Sequence, residues 1–127
     1  MVFFQEIIPY CGHLELQLNQ DILNGIELDD KQTYISSWAP QLAVLEHRAV
    51  RMAIVHGGMN GIHEALYNEV SLILTPFSGD QMSDTGRVHH HSLGIHLQES
   101  DITVSGIANA IKRVDEGNYR ENVKRLK

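Results

Sequence analysis

The chain has 127 residues, enough for one ordinary domain with a single core and too few for two lobes facing each other across a cleft. An apolar fraction of 43% beside 20% charged residues excludes a disordered composition, and a formal charge of −6 excludes the basic face that a nucleic-acid partner requires. Cys11 is the only cysteine, so no intrachain disulfide can form.

No apolar stretch approaches the roughly 20 residues of a membrane-spanning helix. The opening decapeptide carries Glu6 and Pro9 in place of a basic start and an apolar run. The expectation is a chain without a transmembrane segment, and a cytoplasmic location is favoured because neither signal nor anchor is visible.

Met1 to Tyr10 is apolar and aromatic but too short for its periodicity to separate strand from helix. Asn19 to Gln32, with Asn24-Gly25 and Asp29-Asp30, has the composition of a helix end and a loop. A short strand at Thr33 to Ser36 then delivers Trp38. Pro40 suits the first turn of a brief helix through Leu42, Val44 and Leu45, ending near His47.

Met52 to Val55 is apolar at every position, which predicts a parallel strand buried on both faces. His56-Gly57-Gly58 ends it and opens a helix with Ile62, Ala65 and Leu66 on one stripe and Asn60 and Glu64 on another. Leu72 to Leu74 predicts a second strand, followed by a loop through Ser78-Gly79-Asp80-Gln81 and a helix through Val88 to His91. Gly94 to Leu97 predicts a third strand. A helix from Thr103 to Val114 follows, with Asp101, Thr103 or Ser105 as cap, and a last helix over Tyr119 to Lys127. This alternation predicts an α/β fold: one parallel sheet of four or five strands, helices on both faces, and ligands at the carboxyl ends of the strands.

Trp38, His56 and Asp80 would then lie on one edge of the sheet, within reach of one ligand. Glycines at His56-Gly57-Gly58 allow close backbone approach, and the helix behind them turns its free amides and positive dipole end to the loop, which suits a phosphate. His89-His90-His91 holds metal-ligand chemistry, but adjacent helical positions diverge and cannot all reach one ion. Asp115-Glu116 with Lys112 and Arg113 forms surface charge.

The ordered set Trp38-Ala39-Pro40-Gln41, Leu45-Glu46-His47, His56-Gly57-Gly58-Met59-Asn60, Glu64-Ala65, Pro76-Phe77 and Gly79-Asp80-Gln81 resembles the donor-binding signature of family 1 UDP-dependent glycosyltransferases. The match has no gap from Trp38 to Gln81 and extends in looser form from about Thr33 to Ile111. The resemblance implies a Rossmann-like sheet with flanking helices, the second lobe of the GT-B architecture. It divides the chain into an N-terminal remnant, 1–32, and a UDP-sugar donor-binding domain, 33–127. The reaction it implies is inverting transfer of a hexosyl group from a UDP-sugar to a small hydroxyl-bearing acceptor, a class that extends to lipids and sterols.

Position by position, the resemblance puts Trp38 on the uracil face and the Ala39 backbone on the base edge. Gln41 and Glu64 hold the ribose hydroxyls. His56 binds the diphosphate with Gly58, Asn60 and the Gly61 backbone beside it, and Asp80 and Gln81 read the sugar hydroxyls. It implies no metal and no cofactor, the UDP-sugar being a substrate.

The sequence departs from the family at several positions. Gly61 stands where Ser is usual, Met59 where plant members have Trp, Asn68-Glu69-Val70-Ser71 alters the usual Gly-Val-Pro, and Asp84 replaces a common Asn. The family's acceptor lobe and its catalytic His find no room here, so a separate acceptor-binding lobe is an expected partner. Pro9-Tyr10-Cys11-Gly12-His13 is similar to the stretch that carries that His, although a loop histidine is the simpler reading of His13. The alternative function is a UDP-sugar-binding fragment or inactive truncated homologue that does no chemistry.

Overall fold

The computed structural model describes residues 14–17, 33–36 and 40–126, with side chains described from residue 40 onward. Five strands are seen, all in parallel pairs. β1 (Leu14–Gln17) pairs with β2 (Thr33–Ser36), Leu14 opposite Thr33. A second sheet has the order β3 (Met52–Val55), β4 (Ser71–Leu74), β5 (Gly94–His96), with Ile54 opposite Ile73 and Ile73 opposite Ile95. The helices are α1 (Gln41–Leu45), α2 (Met59–Tyr67), α3 (Asp80–His90), α4 (Val104–Glu116) and α5 (Tyr119–Lys124), with a 3-10 turn at Glu99–Asp101.

The α/β class and the alternation of strand and helix follow the expectation. The single sheet does not: the five described strands form two separate sheets. β1 was not foreseen, because Leu14-Glu15-Leu16-Gln17 alternates over only four residues, too short a window to separate strand from loop. The readings made on Met1 to Tyr10, Asn19 to Gln32 and His13 lie outside the described residues.

β4, the central strand of its sheet, buries both faces of its apolar run. Leu72 and Leu74 point to one face, where they join Ile62 and Ala65 of α2, Val88 of α3 and Val123 of α5. Ile73 points to the other, where it meets Ile95 of β5 and Ala110, Ile111 and Val114 of α4. The period of two thus feeds two cores from three residues. Each is fully buried, and removing such a side chain from water contributes about 1.5–3 kcal/mol.

β3 corrects the reading of Met52 to Val55 as buried on both faces. It is the outer strand of its sheet, with Met52, Ala53 and Val55 half-buried and Ile54 42% exposed. On that face α4 packs chiefly on β4 and β5, and of β3 it is Met52 that joins the α4 cluster while Ile54 does not.

Helix boundaries also move, and the last helix stops at Lys124, short of the expected Lys127. Asp80 and Gln81, expected in a loop, are the first residues of α3, because the chain turns at Gly79 with φ 47°. An acid in the first turn also suits the helix dipole. α4 runs on to Glu116, and Thr103 emerges as its cap, accepting the Gly106 N–H at 3.1 Å. Asp115 meets Arg51 at 2.7 Å with both side chains largely in solvent, where such a pair adds little stability.

Candidate functional site

The site grows from the carboxyl end of β3. The strand stops after Val55, whose carbonyl accepts the Thr75 N–H at 2.9 Å and so ties the end of β3 to the end of β4. His56 follows, then Gly57 with φ 88°, a backbone state that L side chains rarely adopt. Gly58 stands at the N-cap of α2 with extended dihedrals. The first intrahelical bond runs from the Ile62 N–H to the Gly58 carbonyl at 3.1 Å, so the amides of Met59, Asn60 and Gly61 precede the ladder. No side chain caps them. A helix start of this kind holds unsatisfied donors and positive potential at one place.

Gln41, Val55, His56, Gly58, Met59, Asn60 and Gly61 line a cleft of about 420 Å³ at this helix start. The imidazole of His56 lies over Gly58: a Cβ on residue 58 would come within 2.7 Å of Nε2. Gln41, the first residue of α1, donates from Nε2 to Glu64 Oε2 at 2.7 Å. That bond engages one of the two carboxylate oxygens of Glu64. Gly61 lies beside the same amide, a Cβ there standing 3.7 Å from Gln41 Nε2. Five of the residues expected at a donor site, Gln41, His56, Gly58, Asn60 and Gly61, thus share one cleft, and Glu64 is hydrogen-bonded to one of them.

Asp80 and Gln81 are not among the residues lining that cleft. They occupy the first turn of α3, where Gln81 Oε1 accepts the Phe77 N–H at 3.1 Å and Asp80 Oδ1 accepts the Gln81 N–H at 3.2 Å. Their link to the cleft is Gly57, whose Cβ, if present, would lie 2.5 Å from Thr85 Oγ1 and 3.4 Å from the Gln81 carbonyl oxygen. The turn that opens α2 and the first turns of α3 are thus in direct contact. Thr85 went unnoticed in the sequence. Its one signal is the three-residue spacing to the buried Val88, which puts both on the inward face of α3.

Trp38 and Ala39 lie outside the described residues. His89, His90 and His91 are exposed at the end of α3, with the rings of His90 and His91 edge to face at 5.2 Å. Among the described residues no three His, Cys, Asp or Glu side chains converge as a metal-binding group, and no helix is long and apolar enough to cross a membrane.

Comparison with known proteins gives this geometry a lineage. The family model "UDP-glucoronosyl and UDP-glucosyl transferase" matches residues 26–127. UDP-glucuronosyltransferase 1A6 of Oryctolagus cuniculus is 37% identical over 97 residues, which are 76% of this chain and 18% of that protein. UDP-glucuronosyltransferase 1A9 of Mus musculus is 35% identical over the same shares of the two chains, 76% and 18%. The chain therefore spans about a fifth of the length of these curated relatives.

Among solved structures, Os79 from O. sativa in complex with UDP and deoxynivalenol-3-glucoside superposes with a TM-score of 0.82 at 25% identity, over 96% of this chain and 32% of that one. CalG4, the calicheamicin glycosyltransferase, gives a TM-score of 0.79 at 26% identity, over 90% of this chain and 30% of its own. The chain belongs to the UDP-glucuronosyl and UDP-glucosyl transferase family, and its fold is that of the second, Rossmann-like lobe of a GT-B glycosyltransferase.

Proposed function

We propose that this chain is the donor-binding part of a UDP-sugar-dependent hexosyltransferase, with residues 33–127 as the donor unit. The observation that carries the reading is the uncapped start of α2, where His56, Gly58, Asn60 and Gly61 share a cleft with Gln41, itself bonded to Glu64 at 2.7 Å. The amides and His56 suit a diphosphate, and the Glu64 carboxylate suits the hydroxyls of a ribose. Trp38 would stack on the uracil and the Ala39 backbone meet its edge. Asp80 and Gln81, at the start of α3, would hold the hexose hydroxyls.

In the reaction, an acceptor hydroxyl oxygen bonds to the anomeric carbon as the bond from that carbon to the β-phosphate oxygen breaks. The electron pair leaves with UDP, so negative charge grows on the diphosphate. The α2 amides are oriented for that charge before it develops, which is how fixed dipoles lower a barrier. These residues supply donor binding and leaving-group stabilisation. The base that takes the acceptor's proton is not among them. The acceptor is a small molecule bearing a hydroxyl, and lipids and sterols fall within that class.

Calorimetric titration of the chain with UDP tests the reading, comparing wild type with Trp38→Ala and Glu64→Ala. The expected dissociation constant lies between about 10 μM and a few mM, with binding lost in both variants. A cooperatively folded wild-type chain that gives no heat with UDP overturns it.

A further inference from the structure

The inward face of α3 holds a group that donor binding, as described so far, does not use. Thr85 is fully buried, and its Oγ1 has no hydrogen-bond partner. It fills the space that a side chain on residue 57 would need, Oγ1 lying 2.5 Å from the position of a Gly57 Cβ and Leu74 Cδ2 closing the same space at 3.7 Å. A buried hydroxyl without a partner destabilises the fold that contains it, and its presence calls for a use.

Peptide geometry indicates the use. The bond joining Gly57 to Gly58 is trans and planar, so the Gly58 N–H and the Gly57 carbonyl point in opposite directions. When the Gly58 N–H turns toward an anion at the start of α2, the Gly57 carbonyl turns away from that anion, and the non-neighbouring atom nearest to where a Gly57 Cβ would stand is Thr85 Oγ1, at 2.5 Å. Gly57 has no Cβ to oppose that rotation.

We propose that Thr85 is a positioning residue of the donor site: in the liganded state its hydroxyl donates to the Gly57 carbonyl and so holds the Gly58 N–H on the diphosphate. The proposal rests on reading the His56 to Gly58 turn as the diphosphate site. Thr85 belongs to the helix that begins with Asp80 and Gln81, so the same bond sets the distance between the groups that meet phosphate and those that meet sugar.

Thr85→Val keeps the shape and removes the hydroxyl, and Thr85→Ser keeps the hydroxyl. Three quantities are measured for each: UDP affinity by calorimetry, uridine affinity by ligand-observed NMR, and the melting temperature without ligand. Thr85→Val should melt no lower than wild type, bind UDP about five- to tenfold more weakly, and bind uridine as wild type does; Thr85→Ser should bind UDP normally. Opposite effects on stability and on affinity are what a purely structural role cannot produce.

Unchanged UDP affinity in Thr85→Val overturns the proposal, as does equal weakening of UDP and uridine with a lower melting temperature, or a Ser variant as weak as the Val one. If Thr85→Val does not fold, Thr85→Ala takes its place, and equal UDP affinity in the Ala and Ser variants overturns the proposal. A wild-type chain that fails to bind UDP removes the diphosphate site itself, and this proposal with it, before any variant is compared.

Discussion

Two helices of this chain begin in opposite ways. At the start of α4, Thr103 has extended dihedrals and its Oγ1 accepts the Gly106 N–H at 3.1 Å, while the Ile107 N–H reaches the Thr103 carbonyl at 2.9 Å. At the start of α2 the equivalent position is Gly58, which has no side chain to offer, and Met59, Asn60 and Gly61, whose amides precede the helical ladder, line a cleft. One helix start is closed by its own side chain and the other is not. A Thr cap adds about 1 kcal/mol over Ala, and Gly gives up only a few tenths against Thr, so leaving the α2 donors without a side-chain cap costs the fold little. The missing cap alone does not mark a site, since α1, α3 and α5 also start without a side-chain cap; what α2 adds is the cleft that Gly58, Met59, Asn60 and Gly61 line.

The largest expected effect comes from disturbing the closed end. A Cβ on Gly106 would collide with the backbone carbonyl of Asp101 and stand 3.1 Å from Thr103 Oγ1. Backbone cannot step aside as a flexible side chain can, so the gain in helix propensity of Ala over Gly is outweighed. Gly106→Ala should destabilise the chain by about 2 kcal/mol, seen as a lower denaturant midpoint with an unchanged slope. UDP affinity of the folded fraction should not change, and a loss there would mean that the two helix starts are coupled.

Disturbing the open end should do the reverse. Gly58 has φ −67° and ψ 142°, dihedrals open to any residue, so Ala fits the backbone. Its Cβ would nonetheless meet His56 Nε2 at 2.7 Å and drive the imidazole off the helix start. Gly58→Ala should shift folding stability by only about 0.5 kcal/mol and weaken UDP binding about tenfold, or about 1.4 kcal/mol. Calorimetry beside a thermal melt separates the two quantities. Undiminished affinity would take His56 out of the phosphate site.

What the sequence could and could not tell follows the same division between local and distant causes. Leu72 to Leu74 was readable as a strand from its unbroken apolar run, but its central place was not, since Met52 to Val55 is as apolar and lies at the edge. Ile62, Ala65 and Leu66 announced the inward stripe of α2 through their spacing, and the Thr33 to Ser36 and Met52 to Val55 strand boundaries match the structure. These are properties of a few adjacent residues. The exposure of Ile54 depends on where α4, fifty residues later, comes to rest. The separation of two sheets depends on which strands find a neighbour, and the Gly57–Thr85 contact joins positions 28 apart. In the site, the glycine turn and the Asn60–Glu64 face were readable, whereas the start of α3 at Asp80 depended on the left-handed turn at Gly79.

The smallest effect, and the only expected gain, concerns Gly61, where the family's signature usually has Ser. A Cβ at this position would find Gln41 Nε2 at 3.7 Å, an ordinary contact, and nothing nearer. Space is therefore not the reason for glycine, and the substitution can be made without moving the Gln41–Glu64 pair. Gly61 lies in the first turn of α2 and lines the cleft with Met59 and Asn60, so a serine hydroxyl there would add one more donor to that turn. Gly61→Ser should tighten UDP binding by about 0.5–1 kcal/mol, two- to fivefold, and raise stability by about 0.5 kcal/mol through helix propensity. Calorimetry and a melt on the same sample read both. If stability rises and affinity does not, the start of α2 is open for a reason other than phosphate. If both rise, a hydroxyl placed at the open end has served the ligand, whereas Thr103 at the closed end serves only the helix.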